Sequence, residues 1–357
     1  MDRSLGSDDP LPAPNLCKPI FQALDYLFVG TPVCVPEIVV AGGILPDGTS
    51  VSGAGHDIQS ALTRLAGETA EQLALRGEMP LATTDLNDAL SDHPAAAKGG
   101  LGLRGVKWGG SQTWALPAGI LPEDPTQTTG FSEGMAAHTD PNQARVHAAL
   151  ELIERDAVAH WWSGATLAVS LSNAHTYALA RLGPRQERET LLLDVSCDTN
   201  MPVIVALSFD AQGGSFCFGA AAAARLEPAM NAALRELGAA EFGLVLERQK
   251  IPKPDTLQSP PNWTETVKRQ DLERYMIGHT AEIETQSKRY APIRESQLPK
   301  FLSEFDIHMI DLLPVCEVFH TVKAVSTKLQ LGRETHHCKR FITAKSRAKR
   351  PYRGPLY

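Results

Sequence analysis

The sequence predicts a mixed fold of the α/β (α+β) class, and three observations carry that expectation. Two long segments repeat apolar residues at the spacing of one helical face. Short β-rich runs, bounded by Gly, Pro, Asn and Asp, lie before, between and after the helical segments. The 357 residues are 43% hydrophobic and 21% charged, which supports a buried core without disulfide or metal staples.

The elements follow in order. Residues 1–29 read as a Pro- and Asp-rich lead-in, 30–335 as the main folded domain and 336–357 as a basic tail. Val33–Val35 and Ile38–Val40 are β-rich, and Pro46-Asp47-Gly48 is a turn. Ile58, Leu62, Leu65, Thr69 and Leu73 form one helical stripe. Residues 91–130 show little periodicity and read as a long Gly/Pro-rich loop. A second helix runs from about Pro141 to Trp161, with Asp140 as N-cap and proline in its first turn. Its stripe is Val146, Leu150, Ile153, Ala157 and Trp161.

Three strands are expected at Leu191–Val195, Val203–Phe209 and Ser215–Gly219, then a helix over about Glu227–Glu247. A Pro-rich linker at Ile251–Asn262, a helix at Leu272–Lys288 and a strand near Val315–Val325 complete the order. No array-type repeat is evident.

Composition excludes several classes. The net charge of −7 argues against nucleic acid as a whole-chain partner. From Lys339 onward there are seven Lys/Arg and no acid, leaving −14 on the rest. The six cysteines are scattered without a C-x-x-C pair, the pattern of free thiols in a reducing compartment. Neither a signal peptide nor a membrane-length apolar run is present, so a cytoplasmic location is expected.

The most informative pattern occurs twice: Glu68-Thr-Ala-Glu71-Gln72 on the first helix and Glu151-Leu-Ile-Glu154-Arg155 on the second. Glutamates three apart share a helix face, off the apolar stripe. Uncompensated they repel, so two such helices brought together call for cations. Hard carboxylate oxygens suit Mg²⁺, and Arg155 adds a planar donor fork for phosphate. The plain alternative is a solvated acidic face.

Longer stretches around these pairs carry a resemblance. Ser52-Gly-Ala-Gly-His56, Ala61 and Gly67-Glu68-x-x-Glu71 resemble one segment of the YcaO family, S-G-K-G…A…S-A-x-G-E-A-x-E-R. Ser132-Glu-Gly-Met-Ala-Ala137 and His147-Ala-Ala-Leu-Glu-Leu-Ile-Glu-Arg-Asp-Ala157 resemble another, S-N-G-L-A-A…H-A-L-L-E-L-I-E-R-D-A. Met201–Ala206, Gly219-Ala-Ala-Ala and Leu234-Arg-Glu-Leu are similar to a later segment. YcaO proteins are ATP-dependent enzymes that activate backbone amides of ribosomally made peptides.

The resemblance implies a YcaO-like fold, with sheets carrying acidic helices that build an ATP site without a P-loop; no G-x-x-x-x-G-K-[ST] occurs here. It implies that Glu68, Glu71, Glu151 and Glu154 serve Mg²⁺, that these four and Arg155 bind the nucleotide, and that Glu154 and Arg155 stand in catalytic positions. ATP and Mg²⁺ are the implied cofactors. The implied activity is a cyclodehydratase that turns Cys, Ser or Thr of a precursor peptide into azoline rings, towards an azole-containing bacteriocin or microcin. Implied partners are the precursor peptide, a leader-recognising ubiquitin-activating-like subunit and a flavin-dependent azoline dehydrogenase, with homodimers inside a hetero-oligomer. Backbone thioamide formation and a non-catalytic ATP-binding scaffold are the alternatives. The sequence departs from the family pattern at Ala54 (lysine), Arg64 (serine), Gln72 (arginine), Glu133 (asparagine) and Ala239 (glutamine), with Glu236 retained.

Other features carry less. Gly100-Leu-Gly102-Leu-Arg-Gly105 matches G-x-G-x-x-G but follows no strand, and reads as a flexible loop. His336-His337-Cys338 lacks a second ligand pair. His147, four residues before Glu151, is placed either to hydrogen-bond it or to serve a structural role. The tail Lys339–Tyr357 reads as a solvated end or a docking segment, and the P-x-P-x-P ending of many family cyclodehydratases is either missing or cut off.

Overall fold

A computed structural model describes residues 17–76, 103–107, 113–116, 132–184, 188–196, 199–248, 266–290, 300, 302, 304–305, 307–312, 318–326 and 329. The linker, the basic tail and His336-His337-Cys338 lie outside the described residues.

The chain opens with a one-turn helix α1 (Lys18–Phe21) and an antiparallel sheet β1 (Tyr26–Gly30), β2 (Val39–Ile44) and β3 (Ser50–Gly55). The strand β1 straddles the 29/30 boundary expected between lead-in and domain. Val33–Val35 lies in a turn-rich segment rather than a strand, with Val33 95% exposed, and β-structure resumes only at Val39.

Helix α2 (Ile58–Arg76) is started by reciprocal bonds: the Ser60 amide donates to Asp57 Oδ1 at 2.7 Å, and the Asp57 amide to Ser60 Oγ at 3.3 Å. These bonds, led by the Ser60 amide, hold the Asp57 carboxyl below its ordinary range. Leu65 and Thr69 of the expected stripe are fully buried, whereas Ile58 is exposed. Gly53 lets α2 lie directly on β3. A Cβ there would stand 2.3 Å from the Leu65 nitrogen and 2.4 Å from the Ala61 oxygen.

The second sheet runs in the order β10–β9–β8–β7–β11, from β7 (Ala168–Leu171), β8 (Arg188–Asp194), β9 (Val203–Asp210), β10 (Cys217–Ala222) and β11 (Ile277–Ala281). Helix α4 (Ala174–Leu182) connects β7 to β8, and α5 (Leu226–Arg248) follows β10. Gly219 repeats the device of Gly53, since its Cβ would meet the Leu237 nitrogen at 2.3 Å and the Ala233 oxygen at 2.4 Å. The expected helix over Leu272–Lys288 is instead α6 (Arg269–Tyr275), strand β11 and α7 (Ile283–Arg289). Parallel pairing of β11 with β7 satisfies its backbone better than continued helix through Gly278.

The third sheet has the order β5–β4–β12–β13–β6, from β4 (Leu103–Lys107), β5 (Thr113–Leu116), β6 (Met135–His138), β12 (Ile307–Asp311) and β13 (His320–Ser326). The expected loop over 91–130 therefore contains two strands, and Gly105 of the glycine motif lies within β4. β4 pairs locally with β5 and, on its other edge, with β12, some 200 residues later.

Helix α3 (Pro141–Trp162) is the element between the large sheets. Asp140 caps it, accepting from the Asn142 and Gln143 amides. Its buried face joins one apolar cluster with Val205 and Leu207 of the second sheet, Phe216 just before β10, and Val322 and Ala324 of the third. Burying so many large side chains at about 25 cal/mol per Å² is the main stabilisation that fixes α3 against both sheets.

Candidate functional site

Helices α2, α3 and α5 bring their acidic residues to one recess beside the edges of the two large sheets. β6 and β10 are the terminal strands of their sheets, and each has an amide held by a glutamate. Ala137 N of β6 donates to Glu71 Oε1 at 2.8 Å, and Ala220 N of β10 donates to Glu236 Oε2 at 3.2 Å. α2 passes so close to β6 that a Cβ on Gly67 would lie 3.5 Å from the Ala137 oxygen. The sheet edges thus fix two carboxylates, and helical geometry fixes the rest.

Arg155 stands among the acids. Its Nη2 donates to Glu151 Oε1 at 3.3 Å, and its Nε lies 3.9 Å from Glu154 Oε1. It also acts electrostatically on Glu68 and Glu236. Desolvation is the largest influence on Glu68, Glu151 and Glu236 and pushes each up to about 7. Repulsion from Glu151 adds to it at Glu68 and Glu236, repulsion from Glu154 at Glu151, and Arg155 opposes it in all three. Glu71 is pushed well above the carboxylate range by desolvation, then by Glu68 and Glu151, against the Ala137 bond. These carboxylates are crowded by protein yet partly open to solvent, as lining residues are; Glu236 is the most open.

The structure thus gathers Glu68, Glu71, Glu151, Glu154 and Arg155, all five residues singled out in the sequence. Glu154 does not lie on the solvated acidic face of the plain alternative: it is buried at 7% and lies 3.9 Å from Arg155. Among the described residues, no three His, Cys, Asp or Glu are close enough to hold a metal by themselves. Mg²⁺ typically takes only one or two carboxylates and leaves its other positions to water and phosphate oxygens, a demand that one or two of these glutamates meet. The mutual repulsion of Glu68, Glu71, Glu151 and Glu236 is relieved by protonation, or by a bound cation where one is present.

Two participants were outside the sequence-derived set. Glu236, noted only as retained, joins the recess from α5. Lys323 on β13 is buried at 3%, donates to the Glu133 backbone carbonyl and lowers the Glu151 pKa. A lysine inside the apolar run Val322–Val325 was the available signal. His147 meets His138 edge-on at 5.4 Å instead of being held by Glu151, and burial, then His138 and Arg64, bring it down to about 4. The Asp140 amide donates to His138 Nδ1 at 2.9 Å.

The departures also find places. Ala54 is buried in an apolar cluster with Ile38, Val40 and Leu237. Arg64 lies one turn before Glu68 on α2, and Gln72 directly follows Glu71. Glu133 lends its carbonyl to Lys323, and Ala239 packs against the α5 cluster.

No helix of the described residues is long and apolar enough to cross a membrane. A family model described as YcaO cyclodehydratase, ATP- and Mg²⁺-binding, matches residues 101–307, more than half of the chain. Glu68 and Glu71 precede that match, and Lys323 follows it. No curated protein sequence matches the chain.

Among solved structures, a heterocyclase in complex with substrate and cofactor is similar at TM-score 0.67 and 15% identity, over 90% of this chain and 53% of that one. YcaO from Methanopyrus kandleri bound with AMPPCP and Mg²⁺ follows at TM-score 0.65 and 17% identity, over 96% of this chain and 93% of that one. The E. coli microcin synthetase McbBCD complex has TM-score 0.59 and 14% identity, over 84% of this chain and 87% of the matched one. The chain spans about half the length of that heterocyclase. At these identities the likeness is one of fold.

Proposed function

The chain belongs to the YcaO cyclodehydratase family, and from that premise we propose that it is the Mg-ATP-dependent cyclodehydratase subunit of a peptide-modifying synthetase. The observation that carries the reading is the convergence of Glu68, Glu151 and Glu236, from three helices, on Arg155, with Glu71 beside Glu68 and Glu151. The divalent ion that accompanies a polyphosphate would supply positive charge shared between these carboxylates and the phosphate oxygens.

In the proposed reaction, a Cys, Ser or Thr side chain adds to the preceding backbone carbonyl. The resulting oxyanion takes a phosphoryl group, and phosphate leaves in place of water. Bound Mg²⁺ would draw charge from the phosphate oxygens. Glu68, Glu71, Glu151 and Glu154 are the residues that would serve it, directly or through water. Arg155 presents its planar donor fork to the nucleotide while Glu151 and Glu154 keep it oriented. Glu71 and Glu236, tied to strand amides, keep the acids of α2 and α5 at fixed separation, so alignment is set before binding.

The proposed partners are a precursor peptide, a leader-recognising ubiquitin-activating-like subunit and a flavin-dependent azoline dehydrogenase. The E. coli McbBCD complex, also solved with pro-MccB17 bound, supports a multi-subunit setting. A second reading, a scaffold that binds nucleotide without turnover, is favoured by Ala54, whose small side chain is enclosed in the apolar cluster.

A precursor carrying heavy oxygen in the amide before its Cys or Ser distinguishes the readings. Cyclodehydration moves the label to inorganic phosphate with loss of one water per ring. Thioamide formation also moves it, but the peptide exchanges oxygen for sulfur. A scaffold leaves label and mass unchanged. Label retained in a cyclised peptide overturns amide phosphorylation.

A further inference from the structure

The first sheet ends on an apolar strand. Among the described residues β1 hydrogen-bonds only to β2, and Tyr26, Leu27 and Val29 are 58%, 43% and 40% exposed. No charged residue occurs from Tyr26 to Pro36. The strand therefore carries none of the charges that ordinarily keep a second strand away from a sheet edge.

This strand is complementary to itself. Antiparallel pairing about a two-fold axis at Phe28 sets Leu27 opposite Val29 of the second copy, and Val29 opposite Leu27 of that copy, on one face. An apolar side chain then meets a β-branched one twice, a pairing that stabilises sheets. On the other face Tyr26 stands opposite Gly30 of the second copy. A Cβ on Gly30 would meet nothing within 4 Å, so there is room for the tyrosine ring above it. That face already bears an aromatic row: the Phe28 ring centroid lies 5.7 Å from that of Phe242 on α5 and 6.3 Å from that of Tyr26. The two-fold axis joins the rows of the two copies at Phe28, and it leaves the two Asp25 residues at opposite ends of the pair.

We propose that β1 is a homodimer surface, on which a second copy of this chain adds its own β1 antiparallel. Two three-stranded sheets thereby become one continuous sheet across the dimer. β1 carries none of the recess residues, so the proposal stands apart from the nucleotide reading.

Light scattering of the full chain from about 1 to 200 μM, the range in which interfaces of modest area associate, should show the mass rising from one chain to two. Leu27→Lys combined with Val29→Lys sets like charges opposite one another in both pairs. It should raise the dimer dissociation constant at least about tenfold while the circular dichroism spectrum of the fold is kept. The register is tested by mixing Leu27→Cys and Val29→Cys chains under mild oxidation. Opposite positions lie about 4.5–5.5 Å apart at Cα, within disulfide reach, whereas identical positions are offset by two residues, at about 7–8 Å. The two variants should cross-link to each other far faster than either does to itself or to the parent chain.

A chain that stays monomeric over the whole range overturns the proposal, as does a dimer that the paired lysines leave intact. Preferential cross-linking of Leu27→Cys to itself overturns the register on which the complementarity rests. A monomer that uses β1 only after a separate peptide-recognising subunit is added would assign the strand to that partner and overturn the homodimer.

Discussion

Replacing Arg155 by Met should destabilise the protein strongly at pH 8 and weakly at pH 5.5. The Met stem preserves most of the packing, so the change isolates the charge. Arg155 has a side-chain exposure of 22% and contacts Glu151 at 3.3 Å and Glu154 at 3.9 Å. Removing one partner of a fully buried pair costs about 3–5 kcal/mol, and solvent access places this site near ~3 kcal/mol. Unfolding entropy of about 2.1 cal/mol/K per residue turns that into roughly 4 °C for a chain of this length.

Glu68, Glu151 and Glu236 are raised from 4.5 to about 7. Between those values the folded chain holds more protons than the unfolded one. The associated stability is fully present below pH 4.5 and lost as pH rises through about 7. Without Arg155 these carboxyls shift further upward. At pH 5.5 they are largely neutral and the loss should shrink to about 1 kcal/mol, under roughly 2 °C. Paired melts of the variant and the parent at both pH values measure it. An equal loss at pH 5.5 and pH 8, or no loss at either, would refute the electrostatic account of the recess.

Three further outcomes are expected. Glu68→Gln with Glu71→Gln should abolish calorimetric Mg-ATP binding with little change in melting temperature, since Gln Oε1 still accepts from Ala137; unchanged affinity would remove these residues from the site. Mg-ATP affinity should rise from pH 6 to pH 8 with proton release, detected as a dependence of binding heat on buffer ionisation, because the carboxyls near 7 must ionise to serve Mg²⁺. Gly53→Ala should cost about 3 kcal/mol, at the upper end for overpacking, because its Cβ would press on the α2 backbone at 2.3 Å; denaturant unfolding with a change below 1 kcal/mol would contradict the packing.

Legibility in the sequence followed the range of the interactions involved. Helix α3 was readable almost to the residue because Asp140, Pro141 and the apolar stripe are local signals. Strand β9 was readable from its continuous apolar run. Strand β1 escaped notice because Tyr26, Leu27 and Val29 are exposed and no alternation marks a buried face. Strand β11 was taken into a helix because what makes it a strand is its pairing with β7, roughly a hundred residues away.

The site divides in the same way. Glu68, Glu71, Glu151 and Glu154 announce themselves as helical pairs. Glu236 stands without a partner at that spacing on α5, and Lys323 gains meaning only once β13 is placed beside β6. Local periodicity found the helices that bear the acids, while sheet pairing, invisible to it, determined what faces them.

Glu71 and Glu236 have a consequence for solubility. A terminal strand with open amides is a template for another chain, and cross-chain pairing of that kind is how sheets grow into aggregates. At β6 and β10 an incoming strand would first have to displace a carboxyl side chain from Ala137 or Ala220 and leave that polar group without its partner. The same two side chains that fix the geometry of the recess therefore act as stoppers on the ends of its two large sheets. Loss of either by truncation to alanine should appear first as a tendency to precipitate and only second as a change in ligand binding.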